Sequence, residues 1–352
     1  MCGTSDSHDG LHPHEPGHPH DHPTGIDRRS LLALGLSGLG GVLLTSCRSQ
    51  ARLIPSPTSV RLSTSTNSTT VTESTAVVDG DTLAGFEAFS ETVKVMSDGD
   101  VWLVESNGMP THNMMVGIRS WQQQFPLPQP YVGNNAWSIP RNPVLAPTPI
   151  SAKTSLYRGA IALAINGVPI FNALNNRGDD ALLAGELDEW GGHCGRADDY
   201  HYHVAPLHLD QTGGSAPIAY ALDGYPIYGS VEPDGSPLRS LDEWNGHSDE
   251  KVGYHYHGTS TYPYINGGLV GVVNVVGDQI DPQPATKPFR APGEPLRGAS
   301  ITKFESLANN QFSLEYTLGG LVNRVEYVLS GSTVAFTFID SSGEVRNETY
   351  SR

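Results

Sequence analysis

The chain has 352 residues, 37 Asp and Glu against 21 Lys and Arg, and a formal net charge of −16. So acidic a protein lacks the basic surface that draws in phosphate backbones, which argues against nucleic-acid binding. Its 39 glycines and 26 prolines favour turns and short strands over long helices, and three cysteines (Cys2, Cys47, Cys194) exclude a disulfide scaffold.

Residues 1–46 read as an address. Arg28-Arg29 precedes an uncharged run, LLALGLSGLGGVLLTS, that is too short and glycine-rich to span a bilayer well. A twin arginine before a modest apolar stretch has the form of a Tat export signal. The run ends in Leu44-Thr45-Ser46-Cys47, similar to a bacterial lipobox, so cleavage before Cys47 and lipidation of its thiol are expected. The mature protein is then a lipoprotein held by its lipid on the outer face of a membrane, periplasmic or at the cell surface. Cleavage removes two arginines and five acids, leaving the mature chain acidic, and Cys194 becomes the one free thiol. Six histidines between His8 and His22 lie ahead of this signal; they would be discarded with it, and a start codon assigned too far upstream explains them equally well. Residues 47–76 are rich in Ser and Thr without apolar periodicity, a tether in composition, and folded structure is expected from Val77.

An internal repeat carries almost every remaining histidine. Leu187-Asp188-Glu189-Trp190-Gly191-Gly192-His193 is followed by Tyr200-His201-Tyr202-His203. Fifty-four residues on, Leu241-Asp242-Glu243-Trp244-Asn245-Gly246-His247 is followed by Tyr254-His255-Tyr256-His257. Upstream, AINGVPIF (164–171) matches ALDGYPIY (221–228), with a three-residue length difference absorbed between. The duplicated units span about 158–206 and 216–262. Each begins with a strand interrupted by Asn-Gly or Asp-Gly, dipeptides that favour a tight hairpin.

Alternation with period two is strand geometry, so His201 and His203 face one way and Tyr200 and Tyr202 the other, as do their counterparts in the second unit. Two imidazoles at i and i+2 can converge on a metal, and His193 and His247 can fold back to supply a third. Neutral imidazole suits copper and zinc among other transition metals. Carboxylates and tyrosines nearby (Asp188, Asp242, Asp223, Tyr200, Tyr254) are candidates to orient the rings. The competing reading is a Tyr/His ladder with no metal. The two triads either share one cleft or form separate sites. Cys194 beside His193 has Ser248 as its counterpart, which favours an incidental thiol over a ligand. No GxSxG, phosphate-cradling loop, HExxH or paired CxxC occurs.

These strings resemble the YHYH protein family, named for Tyr-His-Tyr-His. Ser106-Asn107-Gly108-Met109-Pro110-Thr111-His112 is similar to its SNGxPxH element, Asp223-Gly224-Tyr225-Pro226-Ile227-Tyr228-Gly229 to its DGxPIYG element, and Tyr262-Pro263-Tyr264 to its YPY sequence. The resemblance runs from about 92 to 272. It implies an exported bacterial protein and names no reaction. It adds His112 as a possible further ligand, flanked by Met109, Met114 and Met115, a light cue for copper.

Residues 282–297 are proline-rich and read as a linker. From 298 to 352, short alternating runs separated by Asn309-Asn310, Gly319-Gly320, Ser330-Gly331 and Ser342-Gly343 predict an antiparallel β meander of four or five strands. The expectation is therefore a mainly β protein, with a YHYH domain over 77–281 whose two units are related by a pseudo-twofold. Function divides between transition-metal binding, with or without oxidoreductase or hydrolase chemistry, and a non-catalytic surface module in which Trp190 and Trp244 stack on a glycan or protein partner.

Overall fold

The computed structural model describes residues 82–211 and 213–352. The twin arginine, the lipidation site at Cys47, the histidine-rich tract, the tether and the expected start at Val77 lie outside the described residues. Among the described residues no helix is long and apolar enough to cross a membrane.

The protein is mainly β. After a 3-10 turn at Phe86–Phe89, strands β1 (Lys94–Asp98), β2 (Val101–Glu105) and β3 (Trp137–Pro140) form an antiparallel sheet. Strand β4 (Leu145–Ser151) comes next. Eight short strands then build the central sheet. The first four are β5 (Ala160–Ala164), β6 (Pro169–Phe171), β7 (Gly192–Cys194) and β8 (Tyr200–Tyr202). The next four are β9 (Ala219–Ala221), β10 (Pro226–Tyr228), β11 (Gly246–Asp249) and β12 (Gly253–His257). Their order is β11-β12-β10-β9-β5-β6-β8-β7, so β5 and β9 meet antiparallel at the centre and the YHYH strands lie next to the two edges.

Local sequence explains the pairing. The runs AIALA and AYA are buried throughout, the mark of strands covered on both faces. Asn166-Gly167 turns β5 into β6, and Asp223-Gly224 turns β9 into β10, as the dipeptides predict. Both glycines have positive φ (78° and 94°), and a Cβ on Gly167 would lie 2.5 Å from Ser106 Cβ. The longer return to β8 or β12 makes the next contact parallel: Ile170 pairs with Tyr202, and Ile227 with Tyr256.

Strand β13 (Gly268–Gly271) pairs with β4, and β14 (Val275–Val276) with β15 (Gln279–Ile280). The meander is five-stranded and antiparallel, β16 (Ala299–Leu307), β17 (Gln311–Leu318), β18 (Leu321–Ser330), β19 (Thr333–Ile339) and β20 (Val345–Ser351), in sequence order. Phe312, Tyr327 and Phe336 join the same hydrophobic core as Tyr200, Tyr202 and Tyr256. The proline-rich segment runs along that core. Its Arg290 makes two bonds to Asp198 at 2.9 and 2.7 Å and lies over the Phe125 and Phe336 rings.

Candidate metal centres

Each YHYH strand presents its histidines to the strand that carries the third. His193 is directly opposite His201 on β7 and β8, and His247 is directly opposite His255 on β11 and β12. The glycine before each outer histidine permits this approach. A Cβ on Gly192 would lie 2.4 Å from Tyr200 Oη, and one on Gly246 would lie 2.4 Å from Tyr254 Oη. Those hydroxyls donate to Asp188 (2.8 Å) and Asp242 (2.9 Å). The same two carboxylates accept the backbone N–H of Gly192 and Gly246, both at 3.1 Å. Asp188 and Asp242 thus fix the strand that bears the histidine rather than its ring. Burial pushes the Asp188 carboxyl up to about 6 against four stabilising hydrogen bonds.

The ring orientations follow from the backbone. His201 Nδ1 lies 3.0 Å from Asp199 O, and His255 Nδ1 lies 3.0 Å from Gly253 O. His203 Nδ1 meets Asn172 O, His257 Nδ1 meets Gly229 O at 2.9 Å, and His247 Nδ1 meets Ser240 O at 3.2 Å. His193 hydrogen-bonds the backbone of Glu186. A carbonyl can only accept, so each of these five Nδ1 atoms carries the proton and the opposite Nε2 keeps its lone pair, which in His247 also faces Arg239 Nη2 at 3.4 Å.

Those lone pairs converge. His193, His201 and His203 have ligand atoms all within 4.8 Å of one another, with the Nε2 atoms of His193 and His203 at 3.1 Å. His247, His255, His257 and Glu232 form the second group, with the Nε2 atoms of His247 and His255 also at 3.1 Å. Glu232 Oε2 lies 3.2, 3.8 and 4.0 Å from the Nε2 atoms of His247, His255 and His257. His257 Nε2 is buried and has no hydrogen-bond partner. A buried acceptor left so costs free energy unless something fills the place, and a cation coordinated by all four groups would do so.

Burial favours the neutral form of four of the six imidazoles. Burial, reinforced by His201, lowers His203 to about 3, and burial lowers His257 to about 4 and His193 and His255 in the same direction. Burial alone would raise the Glu232 carboxyl. Hydrogen bonds from the Arg239 side chain and backbone instead hold it down to about 2. The donor set, neutral imidazoles with or without one carboxylate, suits zinc or copper.

The two groups are separate. Five inter-strand steps of about 4.8 Å part β8 from β12, roughly 24 Å along the sheet. The tyrosines face the other way, as alternation predicts. His112 is brought to that tyrosine face and not to a triad: its Nε2 lies 2.6 Å from Tyr202 Oη, and its ring stacks on Trp190 at 4.8 Å. Asp223, on the same side of the second unit, accepts Tyr256 Oη at 2.7 Å and Gly271 N at 2.9 Å, and burial lifts it to about 6. Met114 and Met115 are core residues. Cys194 is a free, buried thiol that burial pushes well up. Trp190 and Trp244 are only partly exposed and pack on the core.

Glu232 is the residue that sequence reading missed. Continuing the hairpin match by fifty-seven residues pairs it with Asn175, and an acid facing an amide in a duplicated turn is the signal that would have found it.

Residues 136–238 match the family described as YHYH protein. The match bears out the resemblance and shows that a YHYH domain is present. It includes the first triad, Asp223 and Glu232, and ends before the second Tyr-His-Tyr-His string. Comparisons with curated proteins and with solved structures give no match.

Proposed function

We propose that this chain, which carries a YHYH domain, is an extracytoplasmic lipid-anchored protein that binds transition-metal ions, copper or zinc, at both histidine groups. Its two units, in this reading, are one duplicated fold about a pseudo-twofold axis between β5 and β9. The observation that carries the metal reading is the shared wiring of the imidazoles. Nδ1 is held by a backbone carbonyl in both triads, and the Nε2 atoms point at one place. A hydrogen-bonded Tyr/His ladder would instead use those nitrogens on neighbours. The twin arginine and the Leu-Thr-Ser-Cys string support export and anchoring.

The test is metal content by elemental mass spectrometry, on protein exported and processed in a native-like host without a histidine tag. The control has His201, His203, His255 and His257 changed to Ala. Near-stoichiometric copper or zinc that disappears in a folded control is the expected result. A folded wild type that takes up neither ion, even on reconstitution, contradicts the proposal. Radiolabelled palmitate incorporated into wild type but not into Cys47→Ala tests the anchor.

A further inference from the structure

The two centres are wired alike but not completed alike. Glu232 sits at the tip of the hairpin after β10 and brings a carboxylate oxygen within 3.2–4.0 Å of all three imidazole nitrogens. Asn175 has the same place after β6, and the turn is the same: Asn175 N bonds Asp179 O at 2.8 Å, and Glu232 N bonds Ser236 O at 3.0 Å. Yet Asn175 is committed elsewhere. Its Oδ1 accepts Arg177 N and Asp179 N, and its Nδ2 donates to Glu186 Oε2 at 3.2 Å. The first centre therefore has three protein ligands where the second has four. Four ligands make a closed, structural kind of site, and three leave a position for an exogenous group.

The first centre also has room for that group. His193, His201 and His203 line a cleft of about 760 Å³, walled by the rings of Tyr131, Trp137 and Phe171. Arg158, Arg177 and Arg196 line the same cleft with Asp199 as the one acid, on a chain whose net charge is −16. Arg177 is paired with Glu186 and Asp179. Arg158 and Arg196 are exposed and have no acidic partner among the described residues. A positive cleft in an acidic protein concentrates anions at its floor.

We infer that the centres divide the work: the Glu232 centre is structural, while the His193/His201/His203 centre binds a small carboxylate- or phosphate-bearing molecule at its free coordination position. Arg158 and Arg196 meet the ligand's charge and the aromatic wall meets its body. This inference rests on the metal reading above.

The test uses the processed protein loaded with Co(II), whose visible absorption reports coordination, titrated with acetate and with methylphosphonate. Two cobalt ions per chain and a saturable spectral change from the first centre are expected. His193→Ala removes that change. Exchanging Arg158 and Arg196 together for Ala, both exposed and safe for folding, weakens anion binding at least about fivefold, the scale of partly exposed charges. Two bound cobalt ions with no response to either anion overturn the division of work and leave the metal reading standing, as does a response that the arginine changes leave unaltered. A folded protein that holds no cobalt overturns the metal reading and this inference with it.

Discussion

His247 Nε2 faces His255 Nε2 at 3.1 Å, and neither nitrogen has a proton to offer, because both Nδ1 atoms donate to backbone carbonyls. Two lone pairs at that distance repel. Ligand nitrogens about 2.0–2.1 Å from a tetrahedral zinc ion stand about 3.3 Å apart, so the observed spacing is that of an ion's coordination edge. His193 and His203 repeat the distance at the other end of the sheet.

The carboxylate completes only the second centre. Glu232→Gln keeps the shape and removes the charge, and it leaves Arg239 facing an amide instead of a carboxylate at 2.9 Å. Competition against a chromophoric chelator should show one of two sites weakened by at least about tenfold and the other unchanged. Equal weakening of both sites would contradict the assignment of Glu232 to one centre.

Gly192 is the point where packing controls the first centre. Gly192→Ala places a methyl group where Tyr200 Oη now stands, which forces the Asp188 latch apart. Urea denaturation should show a loss of about 1–3 kcal/mol. The first centre should lose its metal while the second keeps its own. Full retention at both would mean that the latch does not position His193.

Asp223 makes stability depend on pH in a defined sense. Its folded-state carboxyl is raised to about 6 from 3.8, so its contribution to stability is complete below the lower value and is lost as pH rises to 6. Asn166 already holds the equivalent place beside Tyr202, at 3.0 Å. Between pH 4 and pH 7, the stability of Asp223→Asn measured against wild type should move about 2–3 kcal/mol in favour of the variant. Parallel pH profiles would show that the carboxyl titrates normally.

Arg290 ties the proline-rich segment to the core beneath the meander, with Asp198 almost wholly buried behind it. Arg290→Ala leaves that carboxylate without its partner and should cost about 3–5 kcal/mol in chemical denaturation. A loss below about 1 kcal/mol would mean that Asp198 is satisfied by its bond from Phe125 N alone.

Much of the architecture was legible because it is local. The meander shows in its alternation and its turn dipeptides, and the facing of His201 and His203 away from Tyr202 follows from the two-residue period of a strand. What sequence hides is who arrives from far away. His112 was a reasonable ligand candidate, but its partner Tyr202 is ninety residues distant and on the opposite face of β8 from the triad. Glu232 looked like any acid in a Pro-Asp-Gly turn until the fold set it against three imidazoles. The proline-rich segment reads as a linker because composition reports missing donors, while its place along the core depends on individual side chains, Phe289 buried in the core and Arg290 paired with Asp198, that composition does not single out.

The most direct test of the central claim is a crystal structure of the processed protein grown with zinc or copper, with anomalous data collected on both sides of the metal edge. One anomalous peak is expected in each triad, about 2.0–2.1 Å from the Nε2 atoms, with Glu232 bound to the second ion only. Well-ordered triads without a peak, in crystals that bind the ion elsewhere, would contradict it.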